Sequence, residues 1–284
     1  MQKIAFVTDS TAYIPQELVK KYDITVVPQV LIWGDHTYQD GVDIQPEEFY
    51  TRLKSTKVMP TTSQVSVVTM QDTFQSLIDH GQDVVGVFIS ANLSGTVQSA
   101  IRGREALGKA NGKVTIIDSH STAMAMGFQV LAALRAAEEG ASLTDCVALV
   151  ENAREHVGVY FAVDTLEFLH RGGRIGGAQR FIGSALNLKP ILALRDGRVE
   201  AEDRVRTKSR ALDRLIELVS GHVSGKSKIR IATLHANAET EARVLLNRAS
   251  LKFNAIESVL SSVSPVVGTH AGPGTVGIAF METL

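Results

Sequence analysis

A single cysteine, Cys146, stands in 284 residues, so the chain can close no internal disulfide and build no multi-thiolate metal site. No apolar run approaches the roughly 20 residues that a membrane-spanning helix needs. Neither sign of charge is in excess, because 29 Lys and Arg against 30 Asp and Glu leave a net charge of -1. A general nucleic-acid binder takes its affinity from a basic surface, and this balance argues against one. The eight His include no His-Glu-x-x-His or comparable spacing, so no metal is expected. The opening MQKIAFVTDS holds only a short apolar run of strand type, too short for a secretory leader and without a small-residue cleavage site. A reducing cytoplasm is the expected location, with no stable membrane insertion and only transient membrane contact allowed.

Common catalytic signatures are missing as well. Gly225-Lys226-Ser227 supplies the end of a phosphate-binding loop, but Ser220 stands where its first glycine is required. Gly172-Gly173 and Gly176-Gly177 lack the dinucleotide spacing and do not follow the first strand. No serine occupies a Gly-x-Ser-x-Gly elbow.

What is present is 44% apolar residues in a chain longer than the usual single domain, which predicts two domains with sizeable cores. Short β-branched runs at 4–8, 24–32, 84–90 and 114–118 read as buried strands. Helical patterns at 15–21, 67–79, 96–108 and 123–139 lie between or after them, several opening on Ser or Thr caps. That rhythm predicts an α/β fold with a parallel sheet covered on both faces and ligand loops at the carboxyl ends of its strands. The second half reads as strands near 158–163, 190–195, 199–205, 229–235 and 275–280 with fewer helices, and Asp196-Gly197 reads as a hairpin turn. The expected architecture is an N-terminal three-layer parallel-sheet domain over 1–160 and a smaller C-terminal α/β domain with a mixed sheet over 161–284. The boundary falls near 155–165, with the ligand between the domains.

Four polar clusters fall at expected loops. Pro60-Thr61-Thr62-Ser63-Gln64 offers three hydroxyls and an amide just before a helix, as a well-capped loop would also do. Ser90-Ala91-Asn92-Leu93-Ser94-Gly95-Thr96 joins a strand end to a helix start, where unpaired N–H groups favour an anion; an ordinary N-cap would place Ser94 there too. His270-Ala271-Gly272-Pro273-Gly274-Thr275 holds more glycine than a plain turn needs. Leu169-His170-Arg171-Gly172-Gly173-Arg174-Ile175 is a basic, glycine-rich loop near the domain junction.

In this order the four clusters resemble the DegV family. Thr62-Ser63-Gln64, Leu93-Ser94-Gly95-Thr96 with Ser99-Ala100, Gly172-Gly173-Arg174-Ile175, and His270 with Gly272-Pro273-Gly274 all match. So do Thr8-Asp9-Ser10 and Arg204-x-Arg206-Thr207, and the resemblance runs from end to end. One departure is that Val65-Ser66-Val67-Val68 replaces the Pro-Ser-Pro-Glu type helix start usual in the family.

The resemblance implies a protein that binds a long-chain fatty acid and carries it to a separate ATP-dependent kinase subunit, which phosphorylates the carboxylate to an acyl phosphate. It puts the carboxylate on Thr62 and Ser94, with Ser63, Gly95, Thr96, His270 and Gly272 completing the polar end. No cofactor is implied beyond the bound fatty acid, and no catalytic residue. Phe181-Ile182 and the run 186–192 are candidate walls for the tail, although ordinary core packing is the better reading of any single one of them. Arg171 and Arg174 flank a glycine pair, and Arg204 and Arg206 alternate along a strand end. Phosphoryl transfer and kinase docking would both use such charges, and a solvated face would show them as well. Two rival readings remain open: an esterase or acyltransferase with Ser94 as nucleophile, His270 as base and Asp9 as orienting acid, and a stand-alone lipid carrier.

Overall fold

Most apolar runs seen in the sequence become strands whose ends carry the polar turns, and the computed structural model describes residues 3–183, 188–225 and 228–283. In chain order the first half forms β1 (Ile4–Asp9), α1 (Gln16–Lys21), β2 (Thr25–Val27), β3 (Val30–Trp33), β4 (His36–Gln39), α2 (Pro46–Leu53), β5 (Thr61–Ser63) and α3 (Val67–Asp79). It continues through β6 (Asp83–Phe88), α4 (Thr96–Glu105), β7 (Val114–Asp118), α5 (Ala123–Glu138) and α6 (Leu143–Ala153). The remainder forms β8 (Val157–Ala162), α7 (Glu167–Arg171), β9 (Lys189–Arg195), β10 (Arg198–Val205), α8 (Lys208–His222), β11 (Ile229–His235), α9 (Glu239–Phe253), β12 (Glu257–Ser262), α10 (Pro265–Ala271) and β13 (Val276–Glu282).

A four-stranded parallel sheet runs β2-β1-β6-β7, and a six-stranded mixed sheet runs β10-β9-β8-β13-β11-β12. Side-chain alternation along β1 and β6 sorts the layers. Ala5, Val7, Val84 and Phe88 face α3 and α4, whereas Phe6, Val85 and Val87 face α5 and α6. The opposite side of α5 meets the mixed sheet through β8, β11 and β13, whose far face is covered by α8 and α9. Because α5 is wedged between two sheets it is apolar all round, with eleven of its residues buried. Gly127 lets it approach so closely that a Cβ there would stand 2.7 Å from the Ala12 carbonyl oxygen.

Several expectations hold in detail. Asp196 (φ 48°) and Gly197 (φ 72°) make the hairpin turn between β9 and β10, both in the left-handed region that a type I′ turn demands. Ser66 caps α3 by accepting from the Thr69 N–H at 3.0 Å, so the helix starts at Val67 despite the departure in sequence there.

Others need correction. The run 24–32 is two strands, because Pro28 and Gln29 interrupt it and pair β2 and β3 with different sheets. The second half does hold fewer helices among the described residues, but two of them, α8 and α9, run to 15 residues each. Ala211, Leu212, Leu215, Ile216 and Val219 form the buried stripe of α8, a period that the dense charges around it obscure.

Candidate ligand-binding site

Between the carboxyl ends of the parallel strands and the inner face of the mixed sheet lies a cavity whose empty space, open mouth included, is about 970 Å³. Most of its wall is apolar. Val159 and Phe161 of β8, Leu194 of β9, Val199 of β10, Leu234 of β11 and the stretch Val263–Val267 leading into α10 supply much of it. Polar side chains gather from three separate elements: Thr62 and Ser63 on β5, Ser94 in the loop before α4, and His270 on α10, with Arg174 beside them. No short sequence motif could assemble this set, because residues 62 and 270 meet only when α10 packs on β5.

Thr62 sits on a strand rather than in the expected loop, since β5 pairs with β3 and sets Thr62 opposite Leu31. Its Oγ1 lies 2.8 Å from His270 Nε2. Burial, and then the nearby Arg174 charge, push the His270 imidazole down to about 4, so the ring is neutral at physiological pH. Its Nδ1 is buried without a hydrogen-bond partner among the described residues. A proton on Nε2 therefore leaves Nδ1 as a bare acceptor rather than a stranded N–H. In that tautomer His270 donates to Thr62, and the Thr62 hydroxyl keeps its own proton to donate into the cavity.

Ser94 Oγ lies 2.9 Å from Thr96 Oγ1, and Gln29 Nε2 donates to Thr96 Oγ1 at 2.8 Å. Thr96 is fully buried behind the wall, Gly95 packs against the Gln64 side chain, and Gly272 (φ 78°) packs against Phe168. None of the three lines the cavity, and Gly95 is exposed. Two further contacts tie the Ser94 loop to the mixed sheet: Ser90 Oγ donates to the Gly197 carbonyl at 2.9 Å, and Asn92 Nδ2 to that of Asp196 at 3.0 Å.

The arginines divide by location. Arg174 lines the cavity, held by bonds from Nε to the Leu93 carbonyl at 3.0 Å and from Nη1 to that of Gly172 at 2.7 Å. Arg171 stands at the rim, paired with Glu167 at 2.5 Å. Arg204 stacks on the Phe181 ring at 4.7 Å, and Arg206 is exposed.

Among the described residues, the candidates for the tail wall do not line the cavity, as ordinary packing would have it. Phe181 packs under Arg204 and Ile182 is exposed, while Ile191 and Leu192 are buried in the two cores. Leu186 lies outside the described residues. Sequence reading missed Gln29 and Tyr13, both of which line the cavity; the break at Pro28-Gln29 was the available signal for the first.

The esterase geometry is not assembled. Asp9 accepts from the Ile89 N–H at 2.8 Å and from Thr11, at 3.0 Å to its N–H and 2.6 Å to its hydroxyl. His270 Nε2 points to Thr62, no carboxylate among the described residues orients its Nδ1, and an imidazole pushed to about 4 is a weak base.

Gly172 gives a local test of the head-group end. A Cβ there would lie 2.0 Å from His270 Nδ1, whereas one at Gly173 would meet open space. Gly172→Ala is expected to tilt the ring off Thr62 and cut ligand affinity about tenfold, the worth of one hydrogen bond to a charged group. Gly173→Ala, measured by the same calorimetric titration, should leave affinity unchanged and lose only some stability to its positive φ.

Residues 3–283 match the DegV family, described as "Uncharacterised protein, DegV family". A DegV domain-containing protein of Clostridium perfringens is 35% identical over 98% of both chains, and protein DegV of Bacillus subtilis is 34% identical over 98% of both. Among solved structures, a DegV family protein from Thermus thermophilus described for its fatty acid binding superposes with a TM-score of 0.94 at 35% identity, covering 100% of both chains. DegV of Bacillus subtilis, described as a fatty acid binding protein, superposes with a TM-score of 0.90 at 32% identity over 100% of both. With its fold and nearly its whole length in common with these relatives, the chain belongs to the DegV family.

Proposed function

We propose that this chain binds a long-chain fatty acid in the cavity and presents its carboxylate to a separate ATP-dependent kinase subunit. The observation that carries the reading is one polar end, made by Thr62, His270, Ser94 and Arg174, on a cavity whose wall is otherwise largely apolar. A carboxylate has about four acceptor sites, so the Thr62 and Ser94 hydroxyls can hold it while one oxygen stays available. That oxygen would attack the γ-phosphorus of ATP, forming the acyl phosphate as ADP leaves. The tail needs no polar partner, and each buried CH₂ contributes roughly 0.8 kcal/mol.

Arg174 then stands where charge builds on the transferring phosphoryl group, and Arg204 and Arg206 dock the kinase, with Arg171 at the rim. The reading also divides the chain near residue 160, between a unit with the head-group loops and one with the Gly–Arg loop, and sets the reaction in the cytoplasm. Among the described residues no helix is long and apolar enough to cross a membrane, and no group of three or more His, Cys, Asp or Glu could hold a metal ion.

Acyl phosphate formation with the kinase subunit encoded in the same genome tests this. The chain alone should neither hydrolyse ATP nor cleave acyl esters. Arg174→Ala should lower turnover about tenfold at saturating carrier, the lower end for a charged donor. Arg204→Ala and Arg206→Ala should weaken coupling, most at low salt, without emptying the cavity. Wild-type rates in all three variants would reduce these arginines to solvated surface.

A further inference from the structure

Asp40 is a carboxylate only 2% exposed, and no cation pairs with it among the described residues. Burial of this kind is costly unless the group does something for its neighbours. Its Oδ2 accepts from Ser10 Oγ at 2.7 Å, and its Oδ1 accepts from the Val266 N–H at 3.0 Å. Val266 is the second residue of α10, and Ser264, at the N-cap of that helix, makes no side-chain cap bond of its own. Asp40 thus supplies from a distant segment the cap that the helix lacks.

The same helix carries Val266, Val267, His270 and Ala271 on the cavity wall. Its approach is gripped at two other points, where the Tyr50 hydroxyl donates to the Val263 carbonyl at 3.0 Å and the Ser264 N–H donates to the Tyr13 hydroxyl at 3.1 Å. The titratable groups that face Asp40 are Asp9 from β1, Tyr13 from the turn after it and Tyr50 from α2. Burial pushes both tyrosines well above their ordinary range, so they stay neutral.

We propose that Asp40 is a positioning residue for the ligand site: its carboxylate fixes the first turn of α10, and with it His270 and the Val266–Val267 wall, so that its charge sets how long an acyl ligand is held. The inference rests on the fatty-acid reading. Burial raises Asp40 to about 6, with the hydrogen bonds from Ser10, Val266 and Ser264 opposing and the Asp9 charge adding to the rise. A folded value above the ordinary carboxylate value means that folding favours the proton. The stability this contributes is present below about pH 4 and is lost as pH rises through about 6. Above that point the fold carries a buried charge at its own cost, and the charge strengthens the cap on α10.

The two consequences have opposite signs, which a merely structural role would not produce. Asp40→Asn keeps the shape and an acceptor for Val266 but abolishes the charge. With palmitate as ligand, the ratio of the variant's dissociation rate to that of wild type cancels the ligand's own titration. That ratio is expected to be about fivefold at pH 7.5, the worth of a charged cap, and to fall towards one by pH 5. Asp40→Asn should also melt higher than wild type at pH 8. A ratio that is flat across this range, or near one at pH 7.5, overturns the proposal and moves any pH dependence to Asp9. Should the variant not fold, Ser10→Ala carries the test, because losing a donor to the ionised form must move the wild-type midpoint upward; an unmoved midpoint overturns the proposal. If the wild type binds no palmitate at pH 8, the ligand reading falls, and this inference with it.

Discussion

Replacing Thr62 and Ser94 together by alanine is expected to lower fatty-acid affinity by at least about a hundredfold, since each hydrogen bond to a charged group contributes roughly 1.5 to 3 kcal/mol. Folding should survive. Thr62 is half-buried on the edge strand β5, and its hydroxyl bonds only His270 among the described residues. Ser94 Oγ is a neighbour of Thr96, which keeps its own bonds to Gln29 when Ser94 is lost. Each single variant should show part of the loss, and the two losses need not add, because both hydroxyls hold one carboxylate. Isothermal titration of delipidated protein with palmitate checks this, with melting temperature as the control. Unchanged affinity at unchanged stability would move the head group elsewhere in the cavity.

The second large effect is expected at the opposite end. Val159 points into the cavity from β8, two residues further than Phe161 from the α7 end where the polar cluster lies. Val159→Trp places an indole in the path of the tail. If it excludes about eight methylenes, the loss is on the order of 6 kcal/mol, roughly a ten-thousandfold drop for a sixteen-carbon acid. An eight-carbon acid should bind the variant about as weakly as it binds wild type. Competition against a fluorescent acyl probe over a series of chain lengths reads this directly, and a uniform loss at every length would point to misfolding instead.

Much of this was legible in the sequence because the relevant signals are local. The apolar runs at 4–8 and 114–118, the Ser cap before Val67 and the Asp196-Gly197 turn each act within a few residues, and each is found in place. The four polar clusters were also visible, but not which of their members face the ligand space. Thr62 and Ser94 line the cavity, while Thr96 and Gly272 are buried behind its wall and Gly95 is exposed outside it. That distinction depends on α10 packing against β5 across some two hundred residues, which no local pattern encodes. Which apolar residues line the cavity was not legible for the same reason. In strands buried on both faces the residues turned to a cavity look like those turned to a core, so Val159 and Leu194 were indistinguishable from Ile191 and Leu192. Gln29 escaped because its role follows from a break in a strand that composition alone reads as continuous.

The central claim is that the cavity holds a fatty acid by its carboxylate. Mass spectrometry of an organic extract of the purified wild-type protein tests it most directly, since a buried chain of about sixteen carbons offers on the order of 10 kcal/mol and should survive purification. The expected result is a long-chain fatty acid approaching one molecule per chain, depleted in the Thr62→Ala, Ser94→Ala double variant. An extract free of acyl carboxylate, from protein that also binds none when it is supplied, would contradict the account.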